Sequence, residues 1–147
     1  MKQHFAAVVK NLKPLAKHAE KKGVTLCIEP LNRFETDFLN TVDQGLEMIA
    51  DVGSPALGLL LDTFHMNIEE SDIPAALRLA GDKVGHVHFA DTNRRAVGMG
   101  HLDVAPIAAA LREIDYNGYI SAEVLPLPDG GSAASQTIES FRKFFPR

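Results

Sequence analysis

Apolar residues recur every three or four positions over residues 2–21: Phe5, Val8, Leu12, Leu15 and Ala19 form a stripe, with Lys10, Lys13, Lys17 and Lys21 on other faces. That period predicts an amphipathic helix. Pro14, which lacks an N–H, is expected to kink it or mark a restart, and Gly23 to stop it. The pattern then shortens. Val24–Glu29, Leu57–Asp62, Val84–Ala90 and Tyr119–Val124 are short runs rich in apolar residues and read as strands. Between them, helical spacing returns over Thr41–Val52, Ile73–Ala80 and Val104–Ile114, and again from Ser132 to Phe145, where Ile138, Phe141 and Phe145 share a face. Asn40 or Thr41, Asp72 and Asp103 stand where N-caps are expected. Gly53-Ser54-Pro55, Gly81 and Tyr116-Asn117-Gly118 punctuate the units. The loops are Leu31–Asn40, Thr92–Gly100 and the proline- and glycine-rich Leu125–Gly131, and His65 is placed in a loop after the second strand.

Strands alternating with helices predict an α/β fold with a parallel sheet, as a helix followed by (βα)4, in one domain over residues 1–147. The residues at the strand ends, 29, 62, 88 and 123, are spaced by roughly 26 to 35 residues, which suits βα units.

Composition narrows the setting. An apolar fraction of 46% and a charged fraction of 23% are ordinary for a globular protein. A net charge of −4 argues against a nucleic-acid-binding surface. Cys27 is the single cysteine and cannot form an intrachain disulfide, so a reducing, cytoplasmic location is expected. Phe5–Val9 is too short for a signal-peptide core and is followed by Lys10, and no apolar run is long enough for a membrane span.

Side chains alternate across a strand with period 2. If Glu29, Asp62, His88 and Glu123 share a face, that face also carries Thr25, Cys27, Gly58, Leu60, His86, Tyr119 and Ser121. The opposite face carries Val24, Leu26, Ile28, Leu57, Leu59, Leu61, Val87, Phe89, Ile120, Ala122 and Val124, all apolar. A sheet covered by helices on both sides would be apolar on both parities. One apolar and one polar face describes a barrel wall, with helices outside and polar groups inside at the carboxyl ends of the strands. Three converging carboxylates repel one another, and a divalent cation relieves that repulsion. Oxygen-rich ligation with one imidazole favours Mn²⁺, Mg²⁺ or Co²⁺ over a thiolate-type zinc site.

Four segments carry a family resemblance: IEPLNRFETDFLNT (28–41), LLDTFHMNIEE (60–70), GHVHFADTNRR with GMGHLD (85–95, 98–103) and SAEVLP (121–126). They resemble the sugar isomerase/epimerase family on the xylose-isomerase-like TIM barrel, and within it the ketose 3-epimerases of the D-tagatose/D-psicose type. The resemblance implies metal ligands at Glu29, Asp62, His88 and Glu123, usually for Mn²⁺, with Glu29 and Glu123 also the catalytic acid/base pair. It implies Glu35, His65 and Arg94 as substrate-binding residues and a small-molecule ketose as substrate. The implied reaction is deprotonation beside the carbonyl to a cis-enediolate, then reprotonation on the other face. A family barrel has about 250 residues, so the chain corresponds to strands five to eight. A half-barrel leaves two open edges, and a homodimer or domain-swapped assembly is expected to close it.

The competing readings are a truncated or non-catalytic half-barrel subunit, a sibling enzyme such as a hydroxypyruvate isomerase or an inosose dehydratase, and an endonuclease-IV-like repair enzyme. Taken singly, Asp62 can cap a turn, His86 reads as a hydrogen-bonded core histidine and Cys27 as an interior filler. His101 and Asp103 read as loop-orienting or capping residues, and Arg95 as a solvated neighbour of Arg94.

Overall fold

The computed structural model describes residues 2–146. Helix α1 (Lys2–Lys22) leads into strand β1 (Leu26–Ile28), helix α2 (Val42–Val52) and strand β2 (Leu57–Asp62). Helices α3 (Thr63–Glu69) and α4 (Ile73–Ala80) follow, then strand β3 (Val84–His88), helix α5 (Val104–Glu113), strand β4 (Ile120–Ser121) and helix α6 (Gly130–Phe144). All neighbouring strands pair in parallel, in the order β1-β2-β3-β4. The parallel order is what the alternation predicts, and the whole is half of a TIM barrel, as the family resemblance implies. Among the described residues, no helix is long and apolar enough to cross a membrane.

The two outer strands are shorter than their sequence patterns. Each has a neighbour on one side only, so Val24, Thr25 and Glu29 lie outside the β1 ladder and Tyr119 and Ala122 to Val124 outside that of β4. The chain still follows the same path there: Phe89 N–H donates to the Ser121 carbonyl at 2.8 Å. Phe89 and Ala90 likewise fall beyond the end of β3.

Helix α1 passes through Pro14 without a restart. Pro14 and Lys10 are both exposed, so water can satisfy the carbonyl whose partner N–H is missing. The buried stripe is Val9, Ala16 and Ala19, flanked by Phe5, Val8 and Leu12; Leu15 is 57% exposed and lies off it. Helix α2 has a full capping box, Thr41 accepting from Gln44 N–H while the Gln44 side chain returns to the Thr41 N–H. Asp72 caps α4 through Ala75 N–H at 2.9 Å, and Gly81 ends it. Asp103 occupies the N-cap position of α5 but makes no capping hydrogen bond. Helix α6 starts two residues earlier than its apolar pattern, because Asp129 accepts from Ser132 N–H at 2.9 Å. Of its apolar face, Phe141 and Phe145 pack on Phe89, whereas Ile138 is exposed.

The core lies between the sheet and its helices. Leu57, Leu59, Leu61 and Val87 point outward and pack under Val42, Met48, Leu77, Ile107 and Leu111. Val84 joins them through an irregularity: Leu59 pairs with Val84 but Leu60 pairs with His86, so Gly85 is an extra residue in β3. Strict alternation from His88 would have turned Val84 inward; the bulge turns it to the core. The inner face is open, with Thr25, Cys27, Tyr119 and Ser121 exposed.

Candidate metal centre

Each of the four groups singled out by parity is delivered by the end of a strand. Glu29 follows Ile28, Asp62 and His88 close β2 and β3 as paired residues, and Glu123 lies two residues past Ser121, the partner of His88. One ligand atom from each lies within 4.8 Å of every other. His88 Nδ1 is 3.2 Å from Glu123 Oε2, 3.6 Å from Asp62 Oδ2 and 3.9 Å from Glu29 Oε1.

Asp62 holds two roles at once. Its Oδ1 accepts from Phe64 N–H at 2.8 Å and caps α3, a helix absent from the sequence expectation, which had a loop at His65. Its Oδ2 is left for the site. The buried side-chain polar atoms without a partner, among the described residues, are Glu29 Oε1, Asp62 Oδ2, His65 Nε2 and His88 Nδ1. Buried polar groups are normally satisfied; three of these belong to the converging group, and the fourth, His65 Nε2, borders it through Glu29. The donor set, three carboxylates and an imidazole nitrogen, fits a divalent cation with a preference for oxygen.

The electrostatics agree. Burial pushes the Asp62 carboxyl up to about 7, with Glu123 and Glu35 adding to it and Phe64 N–H and Arg94 opposing. Glu29 is also raised, first by burial and then by Asp62 and Glu123, with His88 and Arg94 pulling the other way. Burial lowers His65, so its neutral form is favoured. A bound cation reverses the cost of ionising all three carboxylates.

The substrate-binding candidates border this cluster. Arg94 reaches Glu35 Oε1 at 3.2 Å and Glu123 Oε2 at 3.4 Å, with its guanidinium carbon 5.0 Å from the centre of the Phe64 ring. His65 is buried, its Nε2 3.8 Å from Glu29 Oε1. His86 donates to or accepts from Ser121 Oγ at 2.7 Å and sits edge-on to His88; it is hydrogen-bonded, as expected, but half-exposed on the open face rather than in the core. Cys27 is likewise exposed there, and partial desolvation of its thiol pushes its pKa up. His101 is exposed and outside the metal group, tied to the loop through its N–H to Thr92 Oγ1 at 3.2 Å.

Three supporting residues have no signal in strand parity. Asp91 is buried and accepts N–H groups from Thr92 and Gly98 at 2.8 Å and from Leu102 at 3.0 Å. Burial would raise its pKa, but these bonds and one from Gly100 hold it below the ordinary value. It organises the loop that presents Arg94, whose φ of 58° is left-handed. Gly100 is required there, since a Cβ would collide with the Asp91 carboxylate. Thr63 joins the ends of β2 and β3, its hydroxyl donating to Ala90 C=O at 2.6 Å and accepting Ala90 N–H at 2.9 Å. Asn32, also buried, contacts His65 and Glu35. An apolar strand running into a buried acid at Asp91 is a readable signal; the other two depend on loop geometry.

Known proteins share this arrangement of strands and loops. The chain is 40% identical over 141 residues to a D-psicose 3-epimerase of Enterocloster bolteae, covering 96% of this chain and 46% of the relative. It is 46% identical over 112 residues to an L-ribulose 3-epimerase of Mesorhizobium japonicum, covering 76% of this chain and 38% of the relative. The structure of D-allulose 3-epimerase from Methylomonas sp. in complex with D-allulose superposes with a TM-score of 0.92 at 32% identity, over 99% of this chain and 57% of that one. The chain thus spans about half the length of the curated relatives it matches. With residues 2–144 matching the family as a whole, the chain belongs to the xylose isomerase-like TIM barrel family.

Proposed function

We propose that this chain carries the catalytic half of a divalent-metal-dependent ketose 3-epimerase. The observation that carries the reading is the convergence of Glu29, Asp62, His88 and Glu123 with three unpartnered buried atoms among them. The relatives named as psicose and ribulose 3-epimerases support the substrate class. A bound divalent ion, Mn²⁺ by preference with Mg²⁺ or Co²⁺ as substitutes, supplies Lewis acidity towards the substrate's oxygens. Glu29 and Glu123 follow the opposite edge strands β1 and β4, so they approach a bound sugar from two sides. One carboxylate takes the proton from the carbon beside the carbonyl, and the other returns a proton on the opposite face of a cis-enediolate. Arg94 and His65 supply donors towards oxygens that gain negative charge, and Glu35 holds the Arg94 guanidinium.

Four strands line only half a ring. A second copy of this chain can supply the other four and cover the exposed inner face, which makes a homodimer part of the proposal. The single thiol, Cys27, suits a cytoplasmic location.

The test is a panel of D-psicose, D-tagatose and L-ribulose incubated with the chain and Mn²⁺ in D₂O. Interconversion of C3 epimers, with deuterium entering at C3 alone, is the expected result. No conversion of any ketose, with the metal demonstrably bound, overturns the epimerase reading. Sedimentation run alongside reports assembly, and a strict monomer at all concentrations removes the homodimer.

A further inference from the structure

Asn32 lies in the loop after β1 and is 1% exposed. Its partners decide which way the amide faces. The oxygen accepts the Phe34 backbone N–H at 3.0 Å, and the nitrogen donates to the Glu35 carboxylate at 2.9 Å. A flipped amide would set donor against donor at Phe34 N–H and acceptor against acceptor at the Glu35 carboxylate. In the orientation that satisfies them, the amide nitrogen also lies 2.8 Å from His65 Nδ1. The Asn32 backbone N–H approaches that same ring nitrogen at 3.3 Å. His65 Nδ1 therefore meets two donors and must present its lone pair. A neutral imidazole carries one proton, and here it resides on Nε2. That nitrogen is buried, has no partner, and faces the cluster 3.8 Å from Glu29 Oε1.

We infer that Asn32 is a positioning residue that locks His65 in the Nε2–H tautomer, so that His65 offers the site a hydrogen-bond donor rather than a lone pair. Two consequences follow for the chemistry. His65 stays out of the cation's ligand set despite lying beside Glu29, because Nε2 has no lone pair to give. A donor at this point suits an oxygen that accumulates negative charge, such as the carbonyl or hydroxyl oxygen of a polyhydroxy ketone. The nature of that oxygen rests on the epimerase reading; the tautomer does not. Glu35 ties the arrangement to Arg94, since its Oε1 takes both the Asn32 amide and the guanidinium.

The experiment is a long-range ¹H–¹⁵N correlation spectrum of the full chain with ¹⁵N-labelled histidine, metal-free and with diamagnetic Mg²⁺, with His65 assigned by His65→Asn. The expected wild-type pattern has Nδ1 at the unprotonated shift and Nε2 at the protonated shift in both samples. In Asn32→Asp an acceptor replaces the amide donor, so the proton moves to Nδ1 or both nitrogens become protonated, while the His86 pattern holds. A wild-type spectrum with Nδ1 protonated, or averaged between tautomers, overturns the lock, as does an unchanged His65 pattern in Asn32→Asp. Should that variant not fold, the wild-type spectrum alone decides. In a preparation that converts ketoses, Asn32→Asp lowers kcat/KM by roughly 10- to 100-fold, mainly in kcat. An Nε2–H signal without ketose conversion upholds the lock and removes only the epimerase reading.

Discussion

The two faces of the sheet follow opposite rules. On the outer face, Leu57, Leu59, Leu61 and Val87 are buried under helices, and that side owes its stability to the removal of apolar surface from water. On the inner face, polar groups crowd together at the strand ends and leave buried atoms without partners. A side chain outside is chosen for how well it fits; several inside are held buried without a hydrogen-bond partner. Stability and function are therefore separable by strand parity, and substitutions on alternate residues of the same strand should fail in different ways.

The largest separation is expected at β2, where Leu61 and Asp62 are adjacent but face opposite ways. Asp62→Asn, or Glu29→Gln, removes a ligand charge and is expected to weaken Mn²⁺ binding by about 100-fold or more, measured by calorimetry on a protein that still folds. Glu123→Gln is expected to lower epimerisation by about 10²- to 10⁴-fold as a lost acid/base group, while a circular dichroism melt barely moves. Near-normal affinity in Asp62→Asn would remove Asp62 from the ligand set.

Leu59→Ala tests the other face. A fully buried leucine truncated to alanine costs about 2–5 kcal/mol, read by urea denaturation, and the metal affinity of the remaining folded protein should be nearly unchanged. A loss of affinity with little loss of stability would mean that the two faces are coupled.

pH sharpens the contrast further. The Asp62 carboxyl in the metal-free protein is raised to about 7 from an ordinary value near 3.8. Between these values the folded state binds more protons than the unfolded one, so the Asp62 contribution to stability falls as pH rises from 3.8 towards 7. The metal-free melting temperature of Asp62→Asn should accordingly lose less across that window than wild type, and saturating Mn²⁺ should reverse the wild-type slope by binding the ionised form. Parallel pH profiles for wild type and Asp62→Asn would contradict this assignment.

Smaller effects are expected at the rim. Phe64→Leu removes the ring beneath the half-buried Arg94, an interaction of about 0.5–2 kcal/mol, and should raise KM by a few-fold with the fold intact. Leu15→Lys, on the exposed side of α1, should change stability by no more than about 0.5 kcal/mol; a larger loss in thermal melts would show that this face of α1 is covered in the working protein.

Much of the site was legible before the structure. Glu29 and Asp62 end their apolar runs, His88 and Glu123 stand near the ends of theirs, and period 2 leaves one parity apolar and the other polar, which is enough to bring them to one wall. The alternating helix pattern likewise carries the parallel (βα)4 order. Helix α3 was not legible, because TFHMNIE has no room for an apolar stripe and is nucleated by Asp62, a residue already read as a ligand. The bulge at Gly85 was hidden for a similar reason: alternation assumes an unbroken ladder, and only pairing with β2 reveals the extra residue.

The sequence by itself determined which side chains at the carboxyl ends of the strands share the inner face, because strand alternation is a local property of the backbone wherever the ladder is unbroken. It also determined the charge type of the site, three carboxylates and an imidazole. Only the tertiary structure decided what each atom does there. The split of Asp62 between a cap and a free oxygen, the Arg94 guanidinium held between Glu35 and Glu123, and the two Asn32 donors on His65 Nδ1 join residues far apart in the chain or depend on backbone hydrogen bonds. Hydrogen-bond direction is set by where donors and acceptors meet in space, and no one-dimensional pattern records it.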